Sequence, residues 1–78
     1  MHDVVLYTRV GCKLCDHAKA VILSVQKKII FSYREVDIGW AGELFEEHKY
    51  DIPVIEIDGK RAFKHRVDPE ALKERLKS

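Results

Sequence analysis

The chain has 78 residues, 46% hydrophobic and 35% charged, an ordinary mixture for a small globular protein at the size where one core is only marginally sufficient. Fourteen basic against thirteen acidic residues leave a net charge of +1, which excludes the strongly basic surface of a general nucleic-acid binder. No apolar run approaches the roughly 20 residues of a membrane span, and Met1-His2-Asp3-Val4 lacks the basic-then-apolar pattern of a cleaved leader. The expectation is one domain over residues 1–78, monomeric, in a reducing cytoplasm, with no membrane or nucleic-acid partner.

Val4-Val5-Leu6-Tyr7 is a continuous apolar run rich in β-branched residues, the pattern of a strand buried on both faces. Gly11 breaks the chain. Leu14, Ala18, Val21, Ile22 and Val25 then recur at helical spacing, with Lys27 and Lys28 at the end where cations are favoured. Ile29-Ile30-Phe31 leads into Tyr33 and Val36 and reads as a second strand. Strand, helix and strand in so short a stretch make a βαβ unit with parallel strands.

Gly39 ends that unit, and Ala41, Leu44, Phe45 and His48 follow at helical spacing with Glu43, Glu46 and Glu47 turned to solvent. Val54-Ile55-Glu56-Ile57, Asp58-Gly59 and the residues from Lys60 to Lys64 form a hairpin signal, because Asp-Gly tolerates the positive φ angles of a type I′ turn. The last helix has the clearest start. Asp68 caps it, Pro69 fits its first turn, and Val67 staples against Leu72, with Leu72 and Leu76 on the buried side. The order is β-α-β-α-β-β-α, an α/β fold with a mixed sheet of about four strands covered by helices on both faces.

The only two cysteines stand at Cys12 and Cys15, just after the first strand and at the start of the first helix. A thiol there lies in the positive end of the helix dipole, which favours the reactive thiolate, and a second cysteine three residues on is within its reach. A bridge across so short a loop recovers little chain entropy, so stability is a poor reason for the pair. Zinc needs four ligands as a rule, and two thiols do not make a metal site. The residues point to dithiol–disulfide redox chemistry.

The stretch from Leu6-Tyr7-Thr8-Arg9-Val10-Gly11 through Cys12-Lys13-Leu14-Cys15 resembles the thioredoxin fold, most closely its glutaredoxin-like branch. Tyr50-Asp51-Ile52-Pro53-Val54, the Asp58-Gly59 hairpin and Asp68 carry the likeness across nearly the whole chain. It implies that Cys12 is the nucleophile and Cys15 the resolving thiol, reducing protein or glutathione mixed disulfides. It places Arg9 where many glutaredoxins hold a glutathione carboxylate with a Lys, sets Lys13 as a second cation beside the site, and makes Asp68 a contact for the glutathione amino group. It also implies a cis Ile52–Pro53 bond opposite the dithiol, with the Ile52 backbone free to pair with an extended substrate; sequence alone favours trans, cis being about 5–6% of X–Pro bonds. No tightly bound cofactor is implied, glutathione being a co-substrate, with a thioredoxin reductase-type enzyme as the competing electron donor. Two departures stand out. His65-Arg66 replace the usual Gly-Gly before Asp68, and Lys13-Leu14 replace the common Pro-Tyr.

The alternative function is an iron–sulfur or soft-metal carrier in which two subunits each give Cys12 to a shared cluster. Several residues also have plainer readings. Asp68 is sufficiently explained as a cap, Arg9 as a surface charge, and Trp40 and Tyr7 as core or edge packing. His17 reads as a helix-surface residue, His48 as a favourable residue at a helix C-terminus, and Asp37 as a turn former.

Overall fold

The first apolar run becomes β1 (Asp3–Thr8) in the computed structural model, which describes residues 1–77. There follow α1 (Lys13–Gln26), β2 (Ser32–Asp37), α2 (Glu43–His48), β3 (Val54–Ile57), β4 (Lys60–Lys64) and α3 (Pro69–Lys77). The strands form one sheet in the order β2-β1-β3-β4. β1 is interior to it, parallel to β2 from the Asp3/Ser32 pair to the Thr8/Asp37 pair and antiparallel to β3 from Val4/Ile57 to Tyr7/Val54. An interior strand covered on both sides needs apolar residues at consecutive positions, and Val4, Val5 and Leu6 are all buried.

Alternation along β1 divides the protein in two. Val4 and Leu6, with Ile55 and Ile57 opposite them, face α1 and α3 and join Ala18, Ile22, Val25, Leu72 and Leu76 in one core. Tyr7 faces the other way and stacks on His48 of α2, so helices cover both faces of the mixed sheet. The buried stripe of α1 is Cys15, Ala18, Ile22 and Val25, whereas Leu14 is 42% exposed. Cys15 therefore takes the inward position that periodicity assigned to Leu14.

The second strand begins later than the apolar signal. Ile29, Ile30 and Phe31 make the turn out of α1: the N–H of Ile29 donates to the carbonyl of Val25 (3.0 Å), and the Gln26 amide holds the Phe31 carbonyl (3.0 Å). Phe31 folds into the core while Ile30 is exposed. These residues close the helix end over the core, and pairing starts only at Ser32. β2 is an edge strand, so its own sequence is largely polar.

The hairpin turn is as the sequence dictates, with Asp58 and Gly59 both at positive φ (54° and 82°). Asp58 also closes the base of the sheet. Its carboxylate accepts the N–H of Asp3 (2.9 Å) and meets His2, and these bonds, that of Asp3 foremost, hold its carboxyl below the usual range. The last helix starts on its predicted cap: the N–H of Ala71 donates to the Asp68 carboxylate (2.9 Å), and Val67 and Leu72 share the core. α2 is shorter than its apolar spacing indicates, because Gly42 at φ 102° stands outside the helix and excludes Ala41.

Tyr33 packs against the core with its hydroxyl buried and without a hydrogen-bond partner. Burial, with the Glu35 carboxylate beside it, pushes its phenol up to about 12 from 10.0. The fold thus favours the neutral phenol, and this contribution is complete below pH 10.0 and lost as pH rises through about 12. Tyr33→Phe removes the orphaned hydroxyl. Urea unfolding at neutral pH should show stability unchanged or raised by up to about 1 kcal/mol. In alkali, the variant should lose less stability than the unchanged protein.

Candidate active site

Register brings the predicted site residues to one end of the sheet. The antiparallel Tyr7/Val54 pair sets the start of β3 beside the end of β1, so Pro53 lies at the level where β1 turns toward Cys12. The Val54/Lys64 pair brings the end of β4 to the same level, and with it His65, Arg66 and the start of α3. Segments separated by most of the chain thereby reach the sheet end from which α1 starts.

Cys12 is the N-cap of that helix, in extended conformation (φ −88°, ψ 107°), and its sulfur accepts the N–H of Cys15 at 3.1 Å. Its own N–H donates to the carbonyl of Arg9 (3.2 Å), and Gly11 makes the tight entry at φ 86°, where an L side chain is disfavoured. Cys12 and Cys15 are closed as a disulfide with Cα atoms 5.2 Å apart. Cys12 is half-buried and Cys15 fully buried, so one sulfur is reachable and the other is shielded by the core.

Around the pair, Val10 and Leu14 are exposed apolar residues and Lys13 an exposed cation. The Arg9 guanidinium lies 4.1 Å over the ring of Trp40 and 5.9 Å from that of Phe45. Trp40 is 69% exposed, which corrects its reading as core or edge packing: the loop after β2 presents the indole at the surface, where it supports Arg9. Tyr7 packs as expected, on His48, and burial together with the Glu56 carboxylate that its hydroxyl meets (3.1 Å) raises its phenol. Asp37 forms a turn, accepting the Gly39 N–H at 2.7 Å. His17 is exposed on α1.

The Ile52–Pro53 bond is cis. Among the described residues, neither the N–H nor the C=O of Ile52 has a hydrogen-bond partner, although Pro53 itself is buried. His65 pins this loop. Its N–H donates to the carbonyl of Pro53 (2.8 Å) and is shared with that of Asp51 (3.3 Å), and its ring reaches the carbonyl of Tyr50 (3.0 Å). His65 sits at φ 66°, inside a γ-turn closed by the N–H of Arg66 on the carbonyl of Lys64 (2.7 Å). The position that resemblance associates with glycine is thus one where backbone geometry favours glycine, and a histidine occupies it. Arg66, Asp68 and His17 border a cleft of about 260 Å³ between α1 and the start of α3.

Sequence patterns alone gave no signal for the support of Arg9 by Trp40 or for the burial of His48, which is 2% exposed beneath α2. Both depend on contacts between residues distant in the chain. Among the described residues there is no cluster of three or more acidic, histidine or cysteine side chains arranged to hold a metal ion, and no helix long and apolar enough to cross a membrane.

A mixed four-stranded sheet with a bridged Cys-x-x-Cys at the first helix and a cis-proline at the same sheet end defines a thioredoxin-like fold. A thioredoxin from Halobacterium salinarum shares it with a TM-score of 0.72 at 15% identity, over 97% of this chain and 72% of that one. The protein Ne2328 of Nitrosomonas europaea superposes with a TM-score of 0.81 at 25% identity, over 96% and 91% of the two chains. Residues 3–77 match the Glutaredoxin-like domain (DUF836), and the chain belongs to that family. A glutaredoxin-like protein of Dictyostelium discoideum is 36% identical, over 90% of this chain and 70% of its own length.

The carboxylate of Asp68 already has a structural duty as the α3 cap. Asp68→Ala should cost about 1 kcal/mol in urea unfolding, and Asp68→Asn, which keeps a capping oxygen, only a few tenths. A fall in disulfide reductase activity in the well-folded Asn variant would assign the charge a second role in binding.

Proposed function

We propose that the protein is a dithiol–disulfide oxidoreductase acting on protein disulfides. The observation that carries this reading is the bridged pair itself, with Cys12 reachable at the helix N-terminus and Cys15 buried behind it. In the reduced protein, a thiolate at Cys12 keeps the N–H of Cys15 as a donor and lies at the positive end of α1, two effects that favour the charged form. Arg9 and Lys13, which have no ion-pair partner among the described residues, add to the same field.

The Cys12 thiolate attacks one sulfur of the substrate disulfide, forming a mixed disulfide and expelling the other substrate sulfur as a thiolate that takes a proton from water. Cys15, once deprotonated, attacks the Cys12 sulfur, closes the Cys12–Cys15 bridge and releases the second substrate thiol. The substrate gains two electrons and two protons, and the protein dithiol becomes the disulfide. During attack, the free N–H and C=O of Ile52 offer an extended substrate segment two backbone hydrogen bonds, a short form of strand addition, beside Pro53.

The bridge must then be reduced by two electrons from a second thiol system. The His65 and Arg66 side chains stand where glutaredoxins commonly admit glutathione past glycines, and this favours a thioredoxin reductase-type donor over glutathione. The reading gives Arg9, Lys13 and Asp68 to the substrate surface, with no tightly bound cofactor.

Cys12→Ser should abolish disulfide reduction, and Cys15→Ser should accumulate a mixed disulfide visible by mass spectrometry under non-reducing conditions. Alkylation of the reduced protein by iodoacetamide should titrate below the free-thiol value of about 8.5. Retention of reductase activity by Cys12→Ser would overturn the assignment. With glutathione as the only electron source, turnover should be slow, and the double variant His65→Gly, Arg66→Gly should raise it several-fold; equal rates in the two proteins would reject the proposed exclusion of glutathione.

A further inference from the structure

One buried polar side chain stands outside the dithiol chemistry. His48 is 2% exposed and is the buried polar or charged residue of the fold among those described. Its ring lies against Tyr7, with centroids 4.4 Å apart and planes at 30°. Its Nδ1 is 3.2 Å from Nη2 of Arg61. A guanidinium only donates, so Nδ1 accepts, and the proton of the neutral imidazole resides on Nε2. The other arm of the same guanidinium, Nη1, is 3.1 Å from the carboxylate of Asp51.

Asp51 is the residue immediately before Ile52 and Pro53. It is held on three sides. Arg61 takes its carboxylate, its N–H donates to the carbonyl of His48 (2.9 Å), and its carbonyl accepts from the N–H of His65 (3.3 Å). Among the described residues Ile52 has no backbone hydrogen bonds of its own, so the loop derives little order from itself. Ordering a free residue costs conformational entropy, and a loop ordered beforehand spares the substrate that cost on binding. The Arg61 and Asp51 side chains are 40% and 30% exposed, and the other arm of the guanidinium is committed to a buried ring. That second contact sets it apart from a freely solvated surface pair.

We propose that His48 and Arg61 are positioning residues for substrate, fixing Asp51 and through it the Ile52–Pro53 rest opposite Cys12. Tyr7 supplies the other anchor. It belongs to β1, the strand that leads into the Cys12 turn, so its stack on His48 sets the height of the rest against the strand that carries the nucleophile. This role rests on the oxidoreductase reading, but the tether is a property of the loop and is measurable apart from turnover.

The test compares the unchanged protein with Arg61→Met, which keeps the apolar stem without donors, and Arg61→Lys, which restores a cation. Three quantities are measured: KM and kcat for reduction of insulin disulfides with dithiothreitol as electron source, alkylation of reduced Cys12 by iodoacetamide, and amide hydrogen exchange. For Arg61→Met, KM should rise about tenfold with kcat and the alkylation rate unchanged. The His65 amide should exchange faster while those of Leu6 and Ile55 do not. Arg61→Lys should recover part of the KM. An unchanged KM, or a fall of kcat and alkylation in step with KM, would overturn the proposal. Should Arg61→Met disturb the core amides, His48→Phe, which retains a ring against Tyr7 without Nδ1, should show the same KM split. If the unchanged protein reduces no insulin above the dithiothreitol background, the oxidoreductase reading fails, and unaltered His65 exchange in Arg61→Met would then refute the tether independently.

Discussion

The hydrogen bond from the N–H of Cys15 to the sulfur of Cys12 is the contact on which the candidate chemistry depends. Helix N-termini are ordinarily capped by the oxygen of Ser, Thr, Asp or Asn, and sulfur is a weaker acceptor. α3 shows the ordinary arrangement, with Asp68 as its cap. α1 accepts the weaker cap at the terminus that carries the bridged cysteine pair. As a thiolate, the same sulfur becomes a charged acceptor facing the same donor, so reduction strengthens the cap. The geometry that starts the helix is also the geometry that would favour a Cys12 thiolate in the proposed mechanism.

That cap is useful only because the sheet delivers the rest of the site to the same place. With β1 interior and β3 antiparallel to it, the end of one strand and the start of the next lie side by side. The loop with Pro53 and the segment of His65 and Arg66 then lie at the sheet end from which α1 starts, without long excursions. The backbone bonds from His65 to Pro53 and Asp51 bind two of these segments directly to one another.

Much of this was legible in the sequence because it is written in local patterns. The hairpin rested on Asp58-Gly59, the last helix on Asp68-Pro69, and β1 on an apolar run that only an interior strand needs. Reading failed where tertiary contacts decide. Ile29 to Phe31 have strand composition but close a helix end, because the adjacent edge strand needs no apolar run. Leu14 has the spacing of a core residue, yet the inward position belongs to Cys15. Trp40 has the composition of a core residue and stands exposed as the platform for Arg9. The cis bond at Pro53 came from family resemblance alone, since no local pattern distinguishes it from trans.

The two faces of the sheet divide the labour differently. Under α1 and α3, the core is apolar, and it fixes the dithiol helix through Cys15, Ala18, Ile22 and Val25 by close packing, which is non-directional. Under α2, buried Val5 and Val54 are joined by directional contacts: a ring stack, a ring nitrogen, a guanidinium and a carboxylate in series from Tyr7 to Asp51. Directional contacts specify a loop's position more closely than apolar packing does, at the expense of stability when one member is lost. Burial of Pro53 anchors one point of that loop, and the directional contacts fix Asp51 beside it, where the backbone groups of Ile52 have no partner among the described residues. The dithiol helix is held by apolar burial, and the proline loop by oriented contacts as well.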